Sequence, residues 1–103
     1  MKTSEVSQNE FKNMLSKIIE LKSFSRFELY PIPPLDELEK EVGIPPKISL
    51  EEFAMKVVNN PEFLDRLNIY KKDRTERGYF RYKILIKNSK DKFYYAFDLN
   101  EYI

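Results

Sequence analysis

The stretch GYFRYKILIKNSKDKFYYAFDL, residues 78–99, decides which fold class this chain can adopt. Two runs within it, 79–87 and 92–99, alternate largely between apolar and polar side chains, which is the period of a half-buried β-strand. The four residues NSKD at 88–91 are typical of a turn. The sequence therefore predicts an antiparallel β-hairpin, with a loop of either two or four residues in the same register.

The predicted register gives the hairpin a core face and an open face. On the core face it pairs Phe80 with Leu99, Tyr82 with Phe97, Ile84 with Tyr95, and Ile86 with Phe93. On the other face Arg81 lies opposite Asp98, and Lys83 lies near them. Tyr79 and Tyr94 also fall on that face, where their rings would be free to stack against single-stranded bases or to pack against a partner.

Helical periodicity fills most of the chain before the hairpin. Capping-box spacing, Ser or Thr followed three residues later by Glu, predicts helices that begin near Ser7 and at Ser49. A short helix over about 34–42 can begin at a proline and end at Gly43, which suits a left-handed C-cap. Asn60 can cap one more short helix up to residue 67, separate from its predecessor. A short third strand, 69–72, is a further possibility.

Composition narrows the classes of protein that the chain can represent. The 103 residues fit one domain with a single core, and 42% of them are hydrophobic. The absence of cysteine and histidine removes disulfides, the usual zinc sites, thiol nucleophiles and imidazole catalysis. We therefore expect a non-enzymatic protein without a cofactor or a metal. No signal peptide or membrane span is recognisable, so we expect a cytoplasmic protein. We also expect residues 1–6 to be disordered.

Charge is distributed unevenly along the chain, although the net charge is only +1. Residues 28–65 contain nine acidic and three basic side chains, whereas residues 66–92 contain ten basic and three acidic ones. A basic cluster on a hairpin and its loops is typical of a protein that binds a polyanion. It is also typical of strand edges that carry lysine to prevent edge-to-edge pairing, and the sequence leaves both interpretations open.

The stretch LDELEKEVGIPPKISLEEF, residues 35–53, resembles the two helices and the turn of a helix-turn-helix motif. With the hairpin that follows, the order of elements over about 9–99 resembles the winged-helix branch of that superfamily. The fold class predicted in this way is α+β, three to four helices followed by an antiparallel β-hairpin. The resemblance implies a third helix that enters the major groove and a hairpin loop, the wing, that contacts the DNA backbone or minor groove.

A nucleic-acid partner, with duplex DNA favoured, follows as the first functional prediction, and the protein would be a small regulator. The alternative is a protein-interaction or assembly module that docks through its acidic helices, with Glu37, Glu41 and Glu51 as contact residues, or dimerises through the open hairpin face. The acidic start of the third helix, at Glu51 and Glu52, suits a protein partner better than phosphate. The predicted nucleic-acid-binding residues are Lys47, Lys56, Lys71, Lys72, Arg74, Arg77, Arg81, Lys83, Lys87, Lys90 and Lys92.

Overall fold

A computed structural model shows an α+β fold in which helices pack on one face of a five-stranded antiparallel sheet. It describes residues 3–32, 39–40, 43–45, 47–72 and 79–102. The helices are α1 (Gln8–Leu21), α2 (Leu50–Asn59) and α3 (Pro61–Asp65), and a 3-10 turn spans Phe24–Arg26. The strands are β1 (Thr3–Val6), β2 (Phe27–Pro31), β3 (Leu67–Lys72), β4 (Tyr79–Lys87) and β5 (Phe93–Tyr102).

The helix boundaries follow the capping signals in the sequence. Ser7 Oγ accepts a hydrogen bond from the Glu10 N–H at the start of α1, and Ser49 Oγ accepts one from Glu52 at the start of α2, each 3.1 Å long. Asn60 caps α3 through the Phe63 N–H at 3.2 Å, which confirms two successive helices. None of the helices within the described ranges is long and apolar enough to cross a membrane.

Of the helix predicted over 34–42, only residues 39 and 40 fall within the described residues. Glu39 and Lys40 are helical, and the Gly43 N–H donates a 2.9 Å hydrogen bond to the Glu39 carbonyl. Gly43 has a φ of +70°, a left-handed conformation that glycine adopts without the steric cost of a Cβ. The predicted C-cap glycine is thus confirmed.

The predicted winged-helix-like arrangement, helices followed by a hairpin, is wrong. The strand order is β1-β3-β4-β5-β2, so the hairpin strands β4 and β5 lie at the interior of a wider sheet and do not form a wing beside the helices. Thr3–Val6, within the segment expected to be disordered, pairs with the predicted third strand, and Phe27–Pro31 pairs with β5. Because β3 and β2 flank the hairpin, only the hairpin loop lies beyond the paired strands, at one end of the sheet.

The predicted hairpin register is also wrong, by one residue near the turn and by two beyond it. Lys87 pairs with Phe93, because the loop is one residue longer than predicted. Ile84 then pairs with Phe97 and Leu85 with Tyr95, so Ala96 is an extra residue in a β-bulge. The second shift restores the alternation, which returns Phe97 and the residues after it to the predicted face.

The core lies between the helices and the sheet face that carries Ile84 and Phe97. The Phe53 ring of α2 contacts Phe63 at 6.1 Å and Phe97 at 5.0 Å between ring centroids. These three rings and the α1 side chains Phe11, Leu15 and Ile18 are almost fully buried, so the core joins α1, α2 and α3 to the sheet. The strand residues buried on this face are Phe27, Leu67, Ile69, Tyr82, Ile84, Ile86, Phe97 and Leu99.

Replacing Ser49 with alanine is expected to destabilise the protein by about 1 kcal/mol, because the first turn of α2 loses its side-chain acceptor. Urea denaturation of the wild type and the variant measures this difference. Ser25→Ala, at an exposed position of the 3-10 turn, is the matched control and should change the stability by less than about 0.5 kcal/mol. Equal effects of the two substitutions would show that the cap contributes nothing.

Candidate functional site

The sheet face opposite the helices, called the open face below, carries aromatic and charged side chains in two rows that cross all five strands. Alternation along each strand and the pairing register place these residues together. The first row is Thr3, Lys72, Arg81, Asn100 and Glu28. The second row is Glu5, Tyr70, Lys83, Asp98 and Tyr30.

Three cations occupy adjacent positions on β3 and β4, and we call Lys72, Arg81 and Lys83 the cation cluster. Lys72 is paired in register with Arg81, and Lys83 lies in the next row. The pKa of Lys72 is lowered, first by its close contact with the Lys83 ammonium, then by desolvation and by the charge of Arg81, with Asp98 acting in the opposite sense. Three like charges at neighbouring positions create a positive potential, which a bound anion would relieve.

A tyrosine and a carboxylate adjoin the cation cluster on β5. Lys83 Nζ lies 5.4 Å from the centroid of the Tyr95 ring, within the range of a cation–π contact. The Tyr95 hydroxyl donates a hydrogen bond to Asp98 Oδ1. Desolvation raises the pKa of Tyr95, and the Asp98 carboxylate raises it further, so the phenol remains a neutral donor at physiological pH. Tyr95 therefore offers a ring that is fixed in place beside Lys83.

Two exposed tyrosines lie at the β2 side of the open face, and we call Tyr30 and Tyr102 the tyrosine pair. Their side chains are 44% and 39% exposed. Both hydroxyls donate to Glu28 Oε2, that of Tyr102 over 3.1 Å. Because both hydroxyls share this acceptor, the two rings are positioned side by side at the same edge of the face.

Asn100 lies between the cation cluster and the tyrosine pair, opposite Arg81 on one side and Glu28 on the other. Its side chain is only 7% exposed, and its Oδ1 has no hydrogen-bond partner. Arg81 Nε, in the neighbouring strand, is also buried without a partner. Buried polar atoms are paired in the great majority of cases, so an adjacent acceptor and donor that both lack partners is an unusual arrangement.

Three of the predicted binding residues lie in the helical layer or on the helix-facing side of the sheet. Lys47 is exposed ahead of α2, and Lys56 Nζ donates a 3.2 Å hydrogen bond to the Gly43 carbonyl. Lys71 faces the helices, with its Nζ 4.2 Å from the centroid of the Phe80 ring. The structure therefore does not bring these lysines together with the cation cluster.

Three further predicted residues lie at the turn of the hairpin. Lys87 forms an ion pair with Asp91 at 3.3 Å, and Lys90 and Lys92 are exposed. The buried Asn88 side chain shapes this loop, since its Oδ1 accepts from the N–H groups of Lys90 at 2.9 Å and Lys92 at 3.0 Å. Two predicted residues, Arg74 and Arg77, lie outside the described residues.

Sequence reasoning exchanged the roles of two neighbouring tyrosines. Tyr94 was predicted on the open face, yet the longer loop turns it toward the helices, where its hydroxyl accepts a 2.8 Å hydrogen bond from Asn88 Nδ2. Tyr95, predicted in the core, lies on the open face. Arg81 was predicted to face Asp98, but it faces Asn100, and Lys83 faces Asp98. The side chain of Tyr79, the other predicted stacking residue, lies outside the described part.

The tyrosine pair and Asn100 were missed altogether, although one signal was available. The residues FELYP at 27–31 alternate between apolar and polar side chains as a strand does, and a strand there would have placed Glu28 and Tyr30 on one face. Nothing local marks Asn100, because its isolation depends on which strand lies beside it.

Within the described ranges, no three acidic side chains lie close enough together to bind a metal ion. Searches of protein-family models, curated proteins and solved structures find no match to this chain. The open face is the part of the described structure where charge and aromatic side chains are brought together.

Proposed function

We propose that the protein binds single-stranded nucleic acid across its open face. The observation that carries the proposal is the cation cluster, in which Lys72 and Arg81 are paired in register and Lys83 lies in the next row of the same face. Phosphates would neutralise this concentrated charge and release the counterions condensed on the strand. The duplex DNA preference expected from a winged helix is withdrawn along with that fold.

The shape of the open face favours a single strand over a duplex. A sheet presents a broad surface, and the Tyr95 ring and the tyrosine pair lie on the same surface as the cations. Aromatic side chains bind bases by stacking, which requires bases that are not already stacked inside a helix. DNA and RNA share this chemistry, so both are tested as ligands.

The salt dependence of binding tests the proposal directly. Fluorescence anisotropy titrations with labelled 12-nucleotide DNA and RNA strands, repeated between 50 and 300 mM KCl, should give a log–log slope of about −2, from roughly −0.7 for each of three phosphates. A duplex of the same length should bind more weakly. The absence of binding at 50 mM KCl, or affinity that does not change with salt, would overturn the proposal.

The protein-interaction alternative retains one described contact residue. Glu51 is exposed on the first turn of α2, whereas Glu37 and Glu41 lie outside the described residues. The open face also carries acids beside its cations, Glu5, Glu28 and Asp98, so a second copy could pair with it. Sedimentation velocity at the protein concentrations of the titration separates nucleic-acid binding from self-association. A dimer that dissociates when nucleic acid is added would show that a second copy and nucleic acid compete for the open face.

A further inference from the structure

Exposed aromatic side chains occur at opposite ends of strand β5 on the open face. Phe93 is the first residue of this strand and is 47% exposed, and Tyr102 of the tyrosine pair is its last. The register pairs Phe93 with Lys87, whereas Arg81 and Lys83 of the cation cluster lie earlier on β4. Along the direction of the strands, the cation cluster therefore lies between two aromatic groups, and Phe93 is the one nearer the hairpin loop.

Phe93 differs in its surroundings from the other phenylalanines of the chain. The chain has eight phenylalanines, all within the described ranges, and the other seven are buried or half-buried. Lys87, which is paired with Phe93, forms an ion pair with Asp91, so its charge is balanced locally. The ring therefore offers a base an apolar surface, while phosphates are attracted to the cation cluster.

The spacing along β4 allows one strand to reach both places. Lys83 and Lys87 are four residues apart, which is about 13 Å at the rise of a β-strand. Neighbouring phosphates of a base-stacked strand are about 3.4 Å apart along its axis, and further apart when the strand is extended. A strand that lies along β4 therefore passes from the cation cluster to Phe93 within about four nucleotides. A strand that crosses the sheet toward β2 would leave this ring uncovered.

We propose that the bound single strand runs along β4 and β5 toward the hairpin loop, and that one of its bases stacks on the ring of Phe93. This inference rests on the proposed function. The cation cluster holds the phosphates, and stacking removes the apolar surfaces of both the ring and the base from water. Because every base has a flat π-face, this contact adds affinity without selecting one base over another.

Substitutions of Phe93 test the contribution of the ring to affinity. Phe93→Ala should weaken the binding of 12-nucleotide oligo(dT) about tenfold, as expected for the loss of one base-stacking contact. The salt slope should remain that of the wild type, because no phosphate contact is lost. Phe93→Leu, which is apolar but has no ring, should lose nearly as much affinity, whereas Phe93→Tyr should bind as the wild type does. Met55→Ala is the matched control, since Met55 is 44% exposed on α2, and it should retain the wild-type affinity.

A fluorescence measurement tests the stacking itself. The chain contains no tryptophan, so Phe93→Trp introduces a single indole at the proposed site. A base that stacks on an indole quenches its fluorescence, so saturation with oligo(dT) should remove most of the tryptophan emission of this variant. Met55→Trp is the control on the helical layer, and its emission should remain nearly unchanged when the strand binds.

The two proposals fail in different ways. If Phe93→Ala or Phe93→Leu binds oligo(dT) as tightly as the wild type, or if the emission of Phe93→Trp is not quenched in the saturated complex, the stacking proposal is overturned and nucleic-acid binding remains. Emission of Phe93→Trp that changes with protein concentration in the absence of nucleic acid would show that a second copy covers the ring, which would also overturn the stacking proposal. If no strand binds at low salt, both proposals are overturned.

Discussion

Replacing both Lys72 and Lys83 with glutamine should weaken the binding of single-stranded nucleic acid about 100-fold at low salt. Each substitution removes one charge-assisted contact to phosphate, and the loss of each contact costs about tenfold in affinity. The salt slope should become shallower by about 1.4, since each lost phosphate contributes roughly 0.7. Anisotropy titrations over a range of salt concentrations measure both quantities.

The matched control has the same net charge but leaves the open face intact. Lys17 is exposed on α1 and Lys47 is exposed ahead of α2, so Lys17→Gln with Lys47→Gln removes two charges from the helical layer. We expect this control to retain the wild-type slope. If both double variants lost affinity equally, binding would depend on overall charge and the open face would not be the site.

The folded state should tolerate the loss of the Lys72 and Lys83 charges. The two ammoniums lie in neighbouring rows of adjacent strands and repel each other, which lowers the pKa of Lys72. Since a lysine with a lowered pKa in the folded state favours unfolding while it is charged, its replacement removes an unfavourable interaction. The midpoint of urea denaturation should therefore be no lower than that of the wild type.

Phe97→Ala should destabilise the protein by about 3–5 kcal/mol, a large fraction of the stability of a typical domain. The Phe97 ring is 1% exposed and lies 5.0 Å from the Phe53 ring, so its removal leaves a cavity between α2 and the sheet. The free energy of unfolding from urea denaturation measures the loss. If Phe97→Ala is partly unfolded at 25 °C, its free energy of unfolding can be compared with that of the wild type at a lower temperature.

Phe93→Ala is the matched control, because it deletes the same atoms from the same strand. Phe93 is 47% exposed and pairs with Lys87 on the open face. Its removal should cost less than about 1 kcal/mol, as for most surface positions. The register predicted from the sequence would bury both phenylalanines, so two equally large effects would support that register and contradict the bulge at Ala96.

Local sequence signals predicted the elements whose causes are local. Ser7, Ser49 and Asn60 each cap a helix through a backbone N–H three residues later, and Gly43 ends a helical turn, as the sequence indicates. The hairpin was also predicted, because its turn residues and alternation lie within a single stretch. These features depend on contacts between residues that are close in sequence.

Features that depend on distant contacts were missed or misplaced. The residues of β1 and β2 pair only with β3 and β5, which are distant in sequence, so no nearby residue indicates which strands they join. The loop length and the bulge at Ala96 each shift the register by one, and neither changes the composition of the stretch. The three residues of the cation cluster were among the predicted binding residues, because they lie on two consecutive strands. Asn100 is recognisable only when Arg81 and Glu28 lie on either side of it.

The strand order has a consequence for the way in which the chain folds. Interior strands β4 and β5 are consecutive in sequence, while β1 must close a long loop to pair Thr3 with Lys72. Closing that loop costs more entropy than forming the hairpin, so we expect the hairpin to nucleate folding and the N-terminal strand to join late. During synthesis β1 would therefore remain without its partner strand until Leu67–Lys72 has been made.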